Sequence, residues 1–132
     1  MDLLPRERYR PRVLVADDES RIADSLRTIL EKTGFASAVA YDGQAAVDTA
    51  HAWRPDIFLS DVLMPKLNGI EAAVQVRAML PACRVILFSG GVATGELERD
   101  ARIREHSFEV LAKPIHPVEL LARLWFSLAP GY

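Results

Sequence analysis

The sequence predicts a doubly wound α/β domain with a five-stranded parallel sheet, and three observations carry that expectation. Short apolar runs recur along the chain, at Val13-Leu14-Val15-Ala16, Ile57-Phe58-Leu59-Ser60, Val85-Ile86-Leu87-Phe88 and residues 108 to 112. Runs of this length and composition are those of strands buried on both faces. Segments with helical apolar spacing separate them, and each run is followed at once by a polar residue: Asp17-Asp18, Asp61, Ser89 and Lys113. In a parallel sheet all these residues fall at the carboxyl edge, where open α/β sheets bind their ligands.

The first strand is expected near residues 12 to 16, followed by a helix with Ile22, Leu26, Ile29 and Leu30 on one face and Gly34 ending it. Residues 36 to 41 form a weaker strand. Asp42-Gly43 opens a second helix with Ala46, Val47 and Ala50 inward, and Pro55 stops it. The strand ending at Asp61 leads into a Met64-Pro65-Lys66-Leu67 loop, after which Asn68 caps a third helix with Glu71 at the capping-box position, ended by Pro81. Ser89-Gly90-Gly91 loosens the turn after the fourth strand. A single weakly amphipathic helix is expected over residues 94 to 104, with Leu97, Ala101 and Arg104 on one face. The last helix has Pro117 in its first turn and a broad stripe of Leu120, Leu121, Leu124, Trp125 and Leu128. Five β-α units joined by right-handed crossovers make a (βα)5 sheet of order 2-1-3-4-5, the flavodoxin-like arrangement.

The 132 residues fit one domain, over residues 11 to 128, with a polar tail at 1 to 10 and a short one at 129 to 132. A formal net charge of −2 supplies no broad attraction to nucleic acid or anionic membrane, and no apolar stretch reaches the length of a membrane span. The lone Cys83 cannot form an internal disulfide, so a reducing cytoplasm is the expected compartment and Cys83 reads as structural. His51, His106 and His116 fall at a helix end, in a loop and before a helix, and are read as neither ligands nor phosphodonors.

Asp17, Asp18 and Asp61 at one edge repel unless a cation joins them, and hard carboxylate oxygens suit Mg²⁺. With a metal present, Asp61 is placed to act as a nucleophile on a phosphoryl group, giving an aspartyl phosphate. Lys113 supplies positive charge for a phosphoryl oxygen, and Ser89 a hydroxyl. The Lys113-Pro114 bond is a candidate cis peptide that aims the lysine.

These motifs together resemble the receiver domain of two-component response regulators: Ala-Asp17-Asp18-Glu-Ser-Arg, Asp61-Val-Leu-Met-Pro65-Lys-Leu-Asn-Gly69, Phe-Ser89-Gly90 and Ala-Lys113-Pro114. The resemblance covers residues 11 to 128. It implies Asp61 as phosphoacceptor, and Asp18, Asp61 and the Leu63 backbone carbonyl as ligands of Mg²⁺ (or Mn²⁺), with Asp17 acting mainly through water. It implies Ser89, with Gly90, and Lys113 as the groups that respond to phosphate. It also implies a histidine kinase or histidine phosphotransfer protein as donor, and a downstream protein or second copy meeting the fourth helix, fifth strand and fifth helix. The chain is then a phosphoacceptor module rather than an enzyme with an external substrate. The sequence departs from the family twice. Val110 stands where an aromatic switch residue is usual, with Phe108 on the same side of the strand, and the residues two after the acceptor and the switch, Leu63 and Gly91, carry no amide or carboxylate to orient water. A phosphorylation-independent interaction module is the alternative. A phosphatase-type hydrolase is disfavoured because Asp61-Val-Leu lacks the second aspartate of an Asp-x-Asp nucleophile motif.

Overall fold

The computed structural model describes residues 9–90 and 94–129. Five strands, β1 (Arg12–Ala16), β2 (Ala36–Ala40), β3 (Ile57–Asp61), β4 (Arg84–Ser89) and β5 (Glu109–Ala112), form one sheet of order β2-β1-β3-β4-β5, and every pairing is parallel. The helices are α1 (Ser20–Lys32), α2 (Gly43–Trp53), α3 (Gly69–Met79), α4 (Thr94–Glu98), α5 (Ala101–His106) and α6 (Pro117–Ser127). None of them is long and apolar enough to cross a membrane.

Strand alternation divides the core into two layers. Leu14, Phe58, Val85 and Leu87 point to one face of the sheet, where Ala46, Ala50, Ala73 and Val76 of α2 and α3 cover them. Val13, Val15, Ile57, Leu59, Ile86 and Phe88 point to the other, under Ala23 and Leu30 of α1 and Leu120 and Leu124 of α6. Because β1, β3 and β4 are buried on both faces, only their ends can carry charged groups without a large desolvation cost. The chemistry-bearing side chains are therefore confined to the sheet edges.

The expected caps form. Asp42 accepts a hydrogen bond from the Ala45 backbone N–H, and Asn68 and Glu71 make a reciprocal capping box at the start of α3. Gly34 follows α1 with φ of 105°, a left-handed conformation that favours glycine. Pro117 occupies the first turn of α6, whose cap is His116: its Nδ1 accepts from the Val118 N–H.

Four expectations need correction. The helix foreseen over 94 to 104 is two short helices, because the Asp100 carboxylate accepts from the Arg102 N–H and starts a new helix after the break at Arg99. Leu97 and Ile103 are the buried residues of this pair, whereas Ala101 and Arg104 are exposed. The second strand stops at Ala40 rather than 41, and β5 begins at Glu109, leaving Phe108 just before it. His106 ends α5 rather than lying in a loop. Cys83 is buried, and burial pushes its thiol up to about 12, which suits an inert core residue.

Asn68→Ala should lower stability by about 1 kcal/mol through loss of the cap. Gly69→Ala should cost more, because an added Cβ would sit 2.1 Å from the Asp61 carbonyl oxygen. Urea unfolding midpoints of the two variants against wild type measure the order.

Candidate functional site

Each strand exit delivers one group to the carboxyl edge. The Asp17 backbone N–H still bonds to the Ala40 carbonyl, which extends the β1–β2 ladder by one residue and holds the aspartate rigidly. Its side chain is 2% exposed; Oδ1 accepts from the Glu19 N–H at 2.9 Å, and Oδ2 accepts from Lys113 Nζ at 3.0 Å. Asp18, the next residue, is exposed. Asp61 is the last residue of β3, in register with Phe88, and its Oδ1 accepts from the Val62 N–H at 3.0 Å and lies 3.7 Å from Lys113 Nζ. Carboxylate oxygens of Asp17, Asp18 and Asp61 all lie within 4.8 Å of one another.

The loop after β3 is held closed by its backbone. The Val62 N–H donates to the Phe88 carbonyl, and the Gly69 N–H donates to the Val62 carbonyl at 2.8 Å. Residues 63 to 68 thus leave and return to one point, with Pro65 exposed and Lys66 at φ of 69°. The Leu63 side chain is half exposed. Gly43 at the start of α2 packs against this loop so closely that a Cβ there would lie 1.8 Å from the Leu67 carbonyl oxygen.

Ser89 ends β4 opposite Ala112 of β5 and is 6% exposed. The Lys113 N–H donates to the Ser89 carbonyl at 3.1 Å, tying the lysine to the serine through the backbone. Gly90 lies against the lysine stem, where an added Cβ would be 3.0 Å from Lys113 Cδ. The Lys113-Pro114 bond is cis. Val110 is half-buried and packs on the α2–α3 side of the core, as does Phe108, which is 5% exposed. Gly91 lies outside the described residues.

The charges are coupled. Burial pushes the Asp61 carboxyl above its ordinary range; the Lys113 ammonium pulls the opposite way, and the Asp17 carboxylate adds repulsion. Burial by itself disfavours the Lys113 charge, but the hydrogen bond and charge of Asp17, with Asp61 behind it, hold its pKa above the ordinary lysine value. Three carboxylates meet one ammonium here, so the cluster is short of positive charge and its hard oxygens suit a divalent cation. The buried Asp17–Lys113 contact was not foreseen from the sequence, which assigned the two residues to metal and phosphate separately. The signal was available, since a carboxylate at a fully buried strand exit needs a cation nearby.

A sequence model of the response regulator receiver domain matches residues 13–125. The chain belongs to the response regulator receiver domain family. Response regulator MprA of Mycobacterium avium is 34% identical over 113 residues, a span of 86% of this chain and 49% of that protein. The chain thus spans about half the length of the curated relatives it matches. Among solved structures it is similar to chemotaxis protein CheY4 of Vibrio cholerae, at 26% identity and a TM-score of 0.81 over 91% of this chain and 100% of the other. The receiver domain of Francisella response regulator 1452 is 31% identical, with a TM-score of 0.76 over 89% and 95%. The family is that of phosphoacceptor domains in two-component signalling.

Because the folded state holds the Asp61 proton more tightly than an unfolded chain does, wild-type stability falls as pH rises from the ordinary carboxylate range through the raised value, then levels off. Metal-free Asp61→Asn should therefore be at least as stable as wild type at pH 7. The gain is limited because water still reaches the carboxylate, and the two should converge in acid. Thermal unfolding in chelator across pH 3 to 8 measures this.

Proposed function

We propose that this receiver takes a phosphoryl group from a phosphohistidine onto a carboxylate oxygen of Asp61. The observation that carries the reading is the placement of Asp61 at the exit of β3, within 3.7 Å of Lys113 Nζ and beside two further carboxylates. In the transfer, the Asp61 oxygen forms a bond to phosphorus as the bond from phosphorus to the imidazole nitrogen breaks. The leaving imidazole keeps the electron pair, and the product is a mixed anhydride. Catalysis of such a step rests on positioning and charge neutralisation.

Asp18, Asp61 and the Leu63 backbone carbonyl would hold Mg²⁺ or Mn²⁺, with Asp17 acting through water. When bound, the cation supplies the positive charge that lets a phosphoryl dianion approach three carboxylates. The chain's own residues do the remainder. The Val62 N–H orients the acceptor carboxylate, and Lys113, anchored by Asp17, neutralises a phosphoryl oxygen. The Ser89 hydroxyl donates to another oxygen, and Gly90 leaves the lysine stem room to move.

The donor is a histidine kinase or a histidine phosphotransfer protein. It reaches Asp61 past α1 and the turn after β5, where Ile22, Leu26, Pro114 and Ile115 line a mainly apolar groove of about 230 Å³ that also touches Lys113. Output runs through the segment opposite. The two short helices α4 and α5 bury one large side chain each, Leu97 and Ile103, so little packing resists their movement when Ser89 shifts. Val110 has no ring to swing, and the change is read by a downstream protein or a second copy on the face formed by α4, α5, β5 and α6. No external substrate is turned over.

Incubation with acetyl phosphate and Mg²⁺ should add one phosphoryl mass to the intact chain. The adduct should be absent from Asp61→Asn and from samples held in chelator. An equal adduct in Asp61→Asn, or steady release of phosphate from an added phosphoester without any adduct, would refute the reading.

A further inference from the structure

At the amino edge of the sheet, the end away from the acidic cluster, a cavity of about 340 Å³ opens where β4 and β5 begin. Arg77 of α3, Arg84 at the start of β4, and His106 and Ser107 at the end of α5 line it. Arg77 Nε donates to the Cys83 carbonyl at 3.0 Å and Nη1 to the His106 carbonyl at 3.2 Å, and the guanidinium carbon stands 5.2 Å from the centre of the Phe108 ring. These contacts fix the fork but use only two of its five N–H groups.

Both partners are neutral carbonyls. Among the described residues no carboxylate lies within ion-pair distance of Arg77, although it is half-buried. The carboxylate in the lining, Glu109, is ion-paired with Arg123 of α6. Burial lowers the Arg77 pKa; Cys83 opposes that effect, and the nearby Arg84 charge adds a smaller lowering. The cavity therefore holds a cationic fork met by two carbonyls and a ring face but by no carboxylate among the described residues, and a partly desolvated charge of this kind is stabilised by a counter-ion. A volume near 340 Å³ lies at the lower end of small-ligand pockets, and an arginine fork with spare donors matches the geometry of phosphoryl and carboxylate groups.

We propose that this cavity binds the oxyanion group, phosphoryl or carboxylate, of a small solute through the Arg77 fork, with Arg84 adding charge and Ser107 at its rim. The site is separate from Asp61 and does not depend on phosphotransfer there.

Arg77→Met removes a structural donor and risks unfolding, so the decisive variant is Ser107→Asp. Ser107 is exposed with φ of 56°, a left-handed position that aspartate tolerates, and the new carboxylate would compete for the fork. The full chain, free of divalent cations and at constant ionic strength, is titrated with inorganic phosphate and separately with succinate while backbone amide shifts are followed. Saturable shifts are expected at residues 77, 84 and 106 to 109, with affinity at least tenfold weaker in Ser107→Asp. Saturation by phosphate alone assigns a phosphoryl ligand, by succinate alone a carboxylate ligand, and by both a general oxyanion site. Shifts that never saturate, shifts confined to Lys113 and its neighbours, or an unchanged affinity in Ser107→Asp would overturn the proposal.

Discussion

The ion pair between Asp17 and Lys113 is the contact on which the carboxyl edge depends. It joins the exits of β1 and β5 across the two intervening strands, β3 and β4. A carboxylate only 2% exposed is costly unless a cation meets it with good geometry. At this edge the lysine makes that contact at 3.0 Å. The pairing fixes the ammonium over the gap between the strands, and Asp61, at the exit of β3, lies within its reach. Asp18 and Asp61 are left with more negative charge than one lysine can offset, and this deficit suits the edge to a cation.

The backbone secures the same geometry from below. Strands buried on both faces cannot slip register without exposing their apolar side chains, so the depth of each exit is set by the core. The loop after β3 is pinned by the Val62 and Gly69 backbone bonds, and Gly43 and Gly69 admit neighbouring carbonyls so closely that a side chain at either would collide with main chain. The segment of α4 and α5 is held by less. The Asp100 cap interrupts what would otherwise be one helix, and the resulting pair, α4 and α5, is joined to the core by few large side chains.

Most of this was legible in the chain. Apolar runs ending in Asp17-Asp18, Asp61, Ser89 and Lys113 define strands and edge together, because burial on both faces leaves charged residues nowhere else to stand. The helix starts at Asp42 and Asn68, and Pro117 in the first turn of α6, follow from local chemistry and appear as expected. The break at Arg99-Asp100 was missed because helical periodicity over 94 to 104 was weak, and an aspartate that starts a second helix looks like any exposed helical residue. The need for glycine at 43 and 69 arises from contacts between distant segments, which spacing alone does not reveal. The cavity beneath Arg77 likewise depends on α3, β4 and α5 meeting at one corner.

The central claim is that, of three neighbouring carboxylates, only Asp61 forms the acyl phosphate, because Asp17 is committed to Lys113 and Asp18 stands exposed at the rim. Borohydride reduces an aspartyl phosphate to homoserine and so marks the acceptor permanently. After phosphorylation with acetyl phosphate and Mg²⁺, reduction and peptide sequencing by mass spectrometry should place homoserine at position 61 alone. Homoserine at position 17 or 18 would contradict the account.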